Sequence, residues 1–150
     1  MIYDRTAADV AKAINIRKNK VSKGVNLTEQ DLLTMERGSF TINTANRIED
    51  KQSQLKALLA DMGYYGTNIV NVKWELGDVF FLEDLVRIVD NTSALRKAFM
   101  VFSDTPTNPR AEYHYREVNL MEKVLYDLGE MVDVVKKNYR ECGAFNCGEA

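Results

Sequence analysis

The feature that most constrains the fold is an amphipathic segment that the chain carries twice. A first copy at residues 44–59 is followed by a second at residues 86–99, which aligns with it without a gap. The identical pairs are Arg47/Arg87, Ile48/Ile88, Asp50/Asp90, Ser53/Ser93 and Leu55/Leu95. A weaker third copy runs from residue 123 to residue 135. A repeat of this size is a supersecondary unit that buries its apolar face against its own copies. It predicts a mainly α fold, an antiparallel helical bundle with internally repeated helices.

Apolar residues at helical spacing predict three long helices, near Asn43–Met62, Leu82–Phe99 and Glu117–Val135. Asn43 or Thr44 is expected to cap the first of them. Its buried stripe is predicted to consist of Ile48, Leu55, Leu58, Leu59 and Met62. Its solvent side is predicted to consist of Glu49, Asp50, Lys51 and Lys56.

The chain of 150 residues is predicted to be a single helical domain. It consists of an N-terminal helical arm at about 6–37, the repeat-built bundle at about 43–139 and a short C-terminal tail at 140–150. In the arm, Thr6 with Asp9 and Thr28 with Asp31 form the capping-box pattern that starts a helix. On the first arm helix, one side is formed by Val10, Ala13, Ile14, Arg17 and Val21.

The periodicity changes between the first two long helices. β-branched residues and a tryptophan predict one short extended segment around Ile69–Trp74, bounded by Gly66 and Gly77. The lone tryptophan has two interpretations. It packs onto the helices as part of the core, which is the commoner outcome, or it is exposed and contacts a partner.

Charge and hydropathy exclude some classes of partner. The formal charge of −2 argues against a nucleic-acid binder held by a broad basic field. No run of about 18 apolar residues occurs, so no membrane span is expected. The N-terminus lacks the apolar core of a signal peptide, which predicts synthesis in the cytoplasm.

A basic cluster at Arg17, Lys18, Lys20 and Lys23 is the strongest local charge feature. One interpretation is a patch that contacts phosphate or an acidic partner. The other is a solvated helix end, where cations suit the helix dipole. The second is favoured because one short cluster seldom forms a binding face.

The sequence offers no catalytic constellation, so no catalytic, cofactor-binding or metal-binding residue is predicted. His114 lies between two tyrosines with no nucleophile motif around it. The two cysteines, Cys142 and Cys147, have four residues between them, and His114 is too remote in sequence to complete a zinc site. They are interpreted as incidental thiols, and whether they pair is left open.

Several motifs resemble small tail-module proteins of phages and prophages of Gram-positive bacteria, found at the tail tip, the baseplate or the fibre attachment. The principal motif is Asn46-Arg47-Ile48-Glu49, followed by Leu55, Leu58-Leu59 and Gly63-Tyr64. The others are Thr6-Ala7-Ala8-Asp9-Val10, the stretch from Trp74 to Phe81, and Tyr139-Arg140-Glu141-Cys142-Gly143-Ala144-Phe145. The resemblance implies a non-enzymatic virion structural protein without a cofactor, located in the phage tail and made in the cytoplasm of the bacterial host.

Surplus aromatic residues at helix ends and connectors suggest how such a protein works. The candidate interface residues are Tyr64, Tyr65, Trp74, Phe80, Phe81 and Phe102. The expected partners are other tail or baseplate proteins or further copies of the chain in a homo-oligomer, with no nucleic acid and no membrane. The alternative is a cytoplasmic prophage adaptor or regulatory module that binds another protein. A metal-dependent or thiol enzyme is a third class, resting only on Cys142, Cys147 and His114.

Overall fold

The computed structural model describes residues 1–107 and 109–143, with side chains described up to Asn138. The helices are α1 (Ala7–Asn19), α2 (Glu29–Gly38), α3 (Ile42–Asp61), α4 (Leu82–Ala98) and α5 (Tyr115–Gly143). A single 3-10 turn, Val21–Lys23, follows α1. No strand occurs within the described ranges. The prediction of a mainly α fold is confirmed, and the fold resembles a helical bundle.

Local capping sets the helix starts. The Thr6 hydroxyl accepts from the backbone N–H of Asp9, and Thr28 and Asp31 form the same reciprocal pair. These two predicted capping boxes are confirmed. The cap of α3 is Thr41, whose side chain accepts from the Thr44 N–H at 3.2 Å. The predicted cap at Asn43 or Thr44 is therefore wrong, because the hydroxyl two or three residues earlier already serves this helix end.

Helices α3, α4 and α5, which we call the body, share one apolar core. Its fully buried side chains include Ile48, Leu55, Leu59, Leu85, Ile88, Leu95, Met121, Leu125, Leu128 and Val132. This set includes both members of two pairs from the sequence repeat, Ile48/Ile88 and Leu55/Leu95. Burying an aliphatic side chain of this size contributes about 1.5–3 kcal/mol, so the body holds most of the hydrophobic stabilisation.

The arm, residues 7–38, is built differently. Helices α1 and α2 pack closely on each other, and neither forms a close helix–helix interface with the described parts of the body. Gly38 makes this pairing possible, since a Cβ there would lie 2.1 Å from the Asp9 carbonyl oxygen. Ala13 is the single buried apolar side chain of the arm, whereas Ile14 is 60% exposed. The predicted apolar side of α1 therefore faces solvent for most of its length.

None of the described helices combines the length and the hydropathy needed to cross a lipid bilayer.

Candidate functional site

The motif singled out in the sequence, Asn46 to Glu49, lies where α3 meets the connector to α4, residues 62–81. The Asn46 amide donates to the Trp74 carbonyl at 2.9 Å, and its oxygen accepts from the Trp74 N–H at 2.8 Å. One side chain thus satisfies both backbone groups of one residue, as a neighbouring strand would. Asn46 fixes the connector against α3.

Glu49 is the polar centre of this region. It is 2% exposed, so the prediction that it lies on the solvent side of α3 is wrong. Its carboxylate bonds the Arg87 guanidinium at 2.7 Å and the Trp74 indole N–H at 3.3 Å, and it also accepts from the Val72 N–H. A buried carboxylate is retained in this way, because a cation and several donors replace its water.

The rest of the connector is held by amide side chains. Asn91 donates to the Val70 carbonyl at 2.9 Å, and Arg87 donates to the same oxygen at 3.0 Å. Asn71 donates to the Glu49 carbonyl at 2.8 Å. The connector therefore crosses α3 and α4 through side-chain hydrogen bonds, although it contains no helix or strand.

Arg47 links the body to the N-terminus through a second buried carboxylate. Glu122 of α5 is fully buried and bonds the Arg47 guanidinium at 2.8 Å and that of Arg5 at 3.2 Å. Arg47 also pairs with Glu36 of the arm. All four residues of the principal motif, including the core residue Ile48, are thus committed to holding the chain together.

The six rings predicted as an interface separate into two groups. Trp74 is 7% exposed and packs at a tilt against the half-buried Phe80, with the ring centroids 4.9 Å apart, so it lies inside the chain as the core interpretation proposed. Phe102 is also half-buried. The exposed rings are Tyr64 (43%), Tyr65 (83%) and Phe81 (59%), which remain available to a partner. Whether they contact one stays a prediction.

Exposed aliphatic residues are concentrated in two places. On the arm they are Ile14, Val21, Val25, Leu32 and Leu33, each 44–60% exposed. From the end of the connector into α4 they are Leu76, Val79, Leu82 and Val86, each 41–100% exposed, and the exposed ring of Phe81 lies among them in the sequence. Contiguous exposed apolar surface on a soluble domain is typical of interaction sites.

A cavity of about 440 Å³ lies between the arm and the body. Its walls include Arg17 of α1, the aromatic residues Phe40 and Tyr113, and His114. The described lining contains no carboxylate and no thiol, but it includes the hydroxyl of Ser39 together with His114. The Nδ1 of His114 accepts from the Arg116 N–H at 3.2 Å.

Among the residues that the structure describes, no three His, Cys, Asp or Glu side chains lie close enough to hold a metal ion. The interpretation of Cys142 and Cys147 as incidental thiols concerns side chains outside the described part of the chain.

Comparison with known proteins found no matching family model, no similar curated protein and no similar solved structure.

Proposed function

We propose that this chain is a non-enzymatic structural protein of a phage virion, located in the tail or baseplate, which acts by self-association or by docking on other tail proteins. The observation that carries the proposal is the use of the Asn46–Glu49 motif. The sequence likeness to tail-module proteins centres on these residues, and each is engaged in packing, hydrogen bonding or ion pairing. A motif whose side chains all stabilise the fold is consistent with a protein that acts by contacting other proteins rather than by catalysis.

The proposal includes the finer architecture, an antiparallel bundle built from a repeated helix. Two facts support it beyond the buried isoleucine and leucine pairs. Arg47 bonds buried Glu122 of α5, and its repeat equivalent Arg87 bonds buried Glu49 of α3. Equivalent arginines thus reach from their own helix to a buried carboxylate of a neighbouring one.

Location in the virion is tested by mass spectrometry of purified particles from the phage or prophage that carries the gene, paired with deletion of that gene. We expect the chain to co-purify with tails at a constant ratio to the other tail proteins. Deletion should abolish infectious particles or leave defective tails, because a missing subunit leaves its neighbours without a docking surface.

A plasmid copy supplied during particle production serves as the control and should restore infectivity. Absence of the chain from particles, together with infectious tails in the deletion strain, would refute the virion assignment. That result would favour the cytoplasmic adaptor.

A further inference from the structure

The two exposed apolar surfaces carry opposite charges. Between Val10 and Thr28 the chain has cations and no acidic residue; the cations are Lys12, Arg17, Lys18, Lys20 and Lys23. Between residues 75 and 90 the only cation is Arg87; the carboxylates are Glu75, Asp78, Glu83, Asp84 and Asp90. We call the first surface, with its exposed aliphatic residues, the basic arm tip, and the second the acidic face.

Most of these charges are not neutralised within the chain. Lys20 pairs with Asp31 at 2.6 Å, and Arg87 lies 3.6 Å from Asp84 and bonds Glu49. In the described part of the molecule the other four cations of the arm tip form no ion pair. Glu75, Asp78, Glu83 and Asp90 form none either. Each surface therefore presents an unbalanced charge beside exposed apolar area.

Helical geometry aligns the part of each surface that lies on a helix. On α4, Leu82, Glu83, Val86 and Asp90 are all exposed, and their spacings of three and four residues place them along one side of the helix. On α1, Ile14 and Lys18 are one turn apart and both exposed, and Val21 follows at the helix end. Aliphatic and charged residues thus alternate along the exposed sides of α1 and α4.

The arm also lacks a core of its own. Ala13 is its single buried apolar side chain, and helices of 13 and 10 residues are marginal in water without tertiary packing. A surface that covers Ile14, Val21, Leu32 and Leu33 would supply that packing.

We propose that the basic arm tip of one copy docks on the acidic face of a second copy. The proposal rests on the proposed function and specifies the surfaces of its self-association. Charge selects this pairing, because two arm tips or two acidic faces in contact would juxtapose like charges. One such contact per pair of copies generates a ring or an open chain of subunits, whereas two reciprocal contacts generate a twofold dimer.

The test is sedimentation equilibrium of the wild-type chain and of two charge-reversed variants. One is the arm variant Lys18→Glu/Lys23→Glu, and the other is the face variant Glu83→Lys/Asp90→Lys. The wild type should form species larger than its 17.1 kDa monomer at about 100 µM and low salt. Raising the ionic strength from about 0.05 to 0.5 M should weaken the association. Each variant alone should associate at least about tenfold more weakly than the wild type.

Mixing the two variants is the decisive step. The face variant keeps an intact arm tip and the arm variant keeps an intact acidic face, so the mixture should regain association with one native contact per pair. Matched controls reverse the same number of charges on α5, as Lys136→Glu/Lys137→Glu and Glu130→Lys/Asp133→Lys. Both controls should associate like the wild type. Circular dichroism melts of all five proteins establish that the variants fold.

Several outcomes would overturn the proposal. They are a monomeric wild type under these conditions, loss of association in only one of the two variants, or a mixture that stays monomeric. These outcomes leave the result of particle mass spectrometry untouched. A chain that fails the association test and is found in virions is a virion protein that docks only on other tail proteins. Conversely, restored association in the mixture would stand even if the chain were absent from virions.

Discussion

At the scale of single residues, Glu49 accepts hydrogen bonds from three groups outside its own helix. Its carboxylate bonds the guanidinium of Arg87, the indole N–H of Trp74 and the backbone N–H of Val72. These partners come from two stretches of chain, the connector and α4, so one carboxylate on α3 fixes the connector and two helices together.

Replacing Glu49 with alanine should lower the free energy of unfolding by about 2–4 kcal/mol, since the change leaves the indole and a backbone N–H without an acceptor and Arg87 without its closest partner. Urea denaturation monitored by circular dichroism measures this. Asp50→Ala is the matched control, because Asp50 is the adjacent, exposed carboxylate of the same helix. Its loss should stay within about 0.5 kcal/mol. Equal effects at both positions would contradict the central role of Glu49.

At the scale of elements, the arm helices depend on charged caps. The backbone N–H and hydroxyl of Thr6 hold the pKa of Asp9 below its usual value, with Arg37 adding to the effect. At the start of α2, the pKa of Asp31 is lowered from 3.8 to about 2. The hydrogen bond from Lys20 is the largest cause, and the cap bonds of Thr28 are the next largest. The ionised form of Asp31 is therefore more stable in the folded chain than in the unfolded chain.

Acid should therefore destabilise the start of α2. Because the folded pKa of Asp31 lies below its unfolded value, its contribution is fully present above about pH 4 to 5 and is lost as the pH falls through about 2. Titration of the side-chain carboxyl by carbon NMR should give a midpoint near pH 2. Lys20→Ala should raise that midpoint toward 3.8, whereas Lys18→Ala should leave it unchanged. A wild-type midpoint near 3.8 would mean that Lys20 does not engage Asp31 in solution.

Sequence reasoning succeeded where the determinants of an element are local. The capping boxes at Thr6 and Thr28 are readable because donor and acceptor lie three residues apart. It failed at Glu49, because helical periodicity places a polar residue on the solvent side by default. The partners that bury Glu49, Trp74 and Arg87, lie 25 and 38 residues away in the chain. A signal was present in the shared Arg47/Arg87 pair, since each of these arginines bonds a buried carboxylate of a neighbouring helix.

Surface properties were less predictable than the core. Helical spacing in α1 indicated one apolar side, but spacing does not say whether another element covers that side. The structure shows Ile14 and Val21 exposed, because α2 packs on a different side of α1, where Gly38 lies against Asp9 and Ala13. The basic cluster was visible in the sequence, whereas the acidic face became apparent only when exposure was known.

At the scale of the whole molecule, stabilising contacts are unevenly distributed. The body buries a continuous aliphatic core, while the arm relies on caps, one alanine and ion pairs such as Arg37 with Asp4 and Asp9. Regions with few buried apolar contacts open locally at low free-energy cost.

Hydrogen exchange should therefore divide the chain into two parts. Backbone amides of α1 and α2 should exchange faster than those of α3 and α4 at low protein concentration. Raising the concentration should slow exchange in the arm and along the start of α4 together, because docking covers both. The Lys18→Glu/Lys23→Glu variant supplies the control, since its exchange should not change with concentration. Arm amides as slow as those of α4 in dilute protein would contradict this division.

The side-chain bonds that fasten the connector also affect how the protein behaves when crowded. A stretch rich in β-branched residues is prone to recruit strands from other chains when its backbone groups are unpaired. Here the carbonyl groups of Ile69 and Val70, the Val72 N–H and both backbone groups of Trp74 are already bonded to side chains of α3 and α4. A neighbouring strand would have to displace those side chains before it could pair. At high protein concentration these bonds therefore protect the stretch against seeding amyloid-like aggregation.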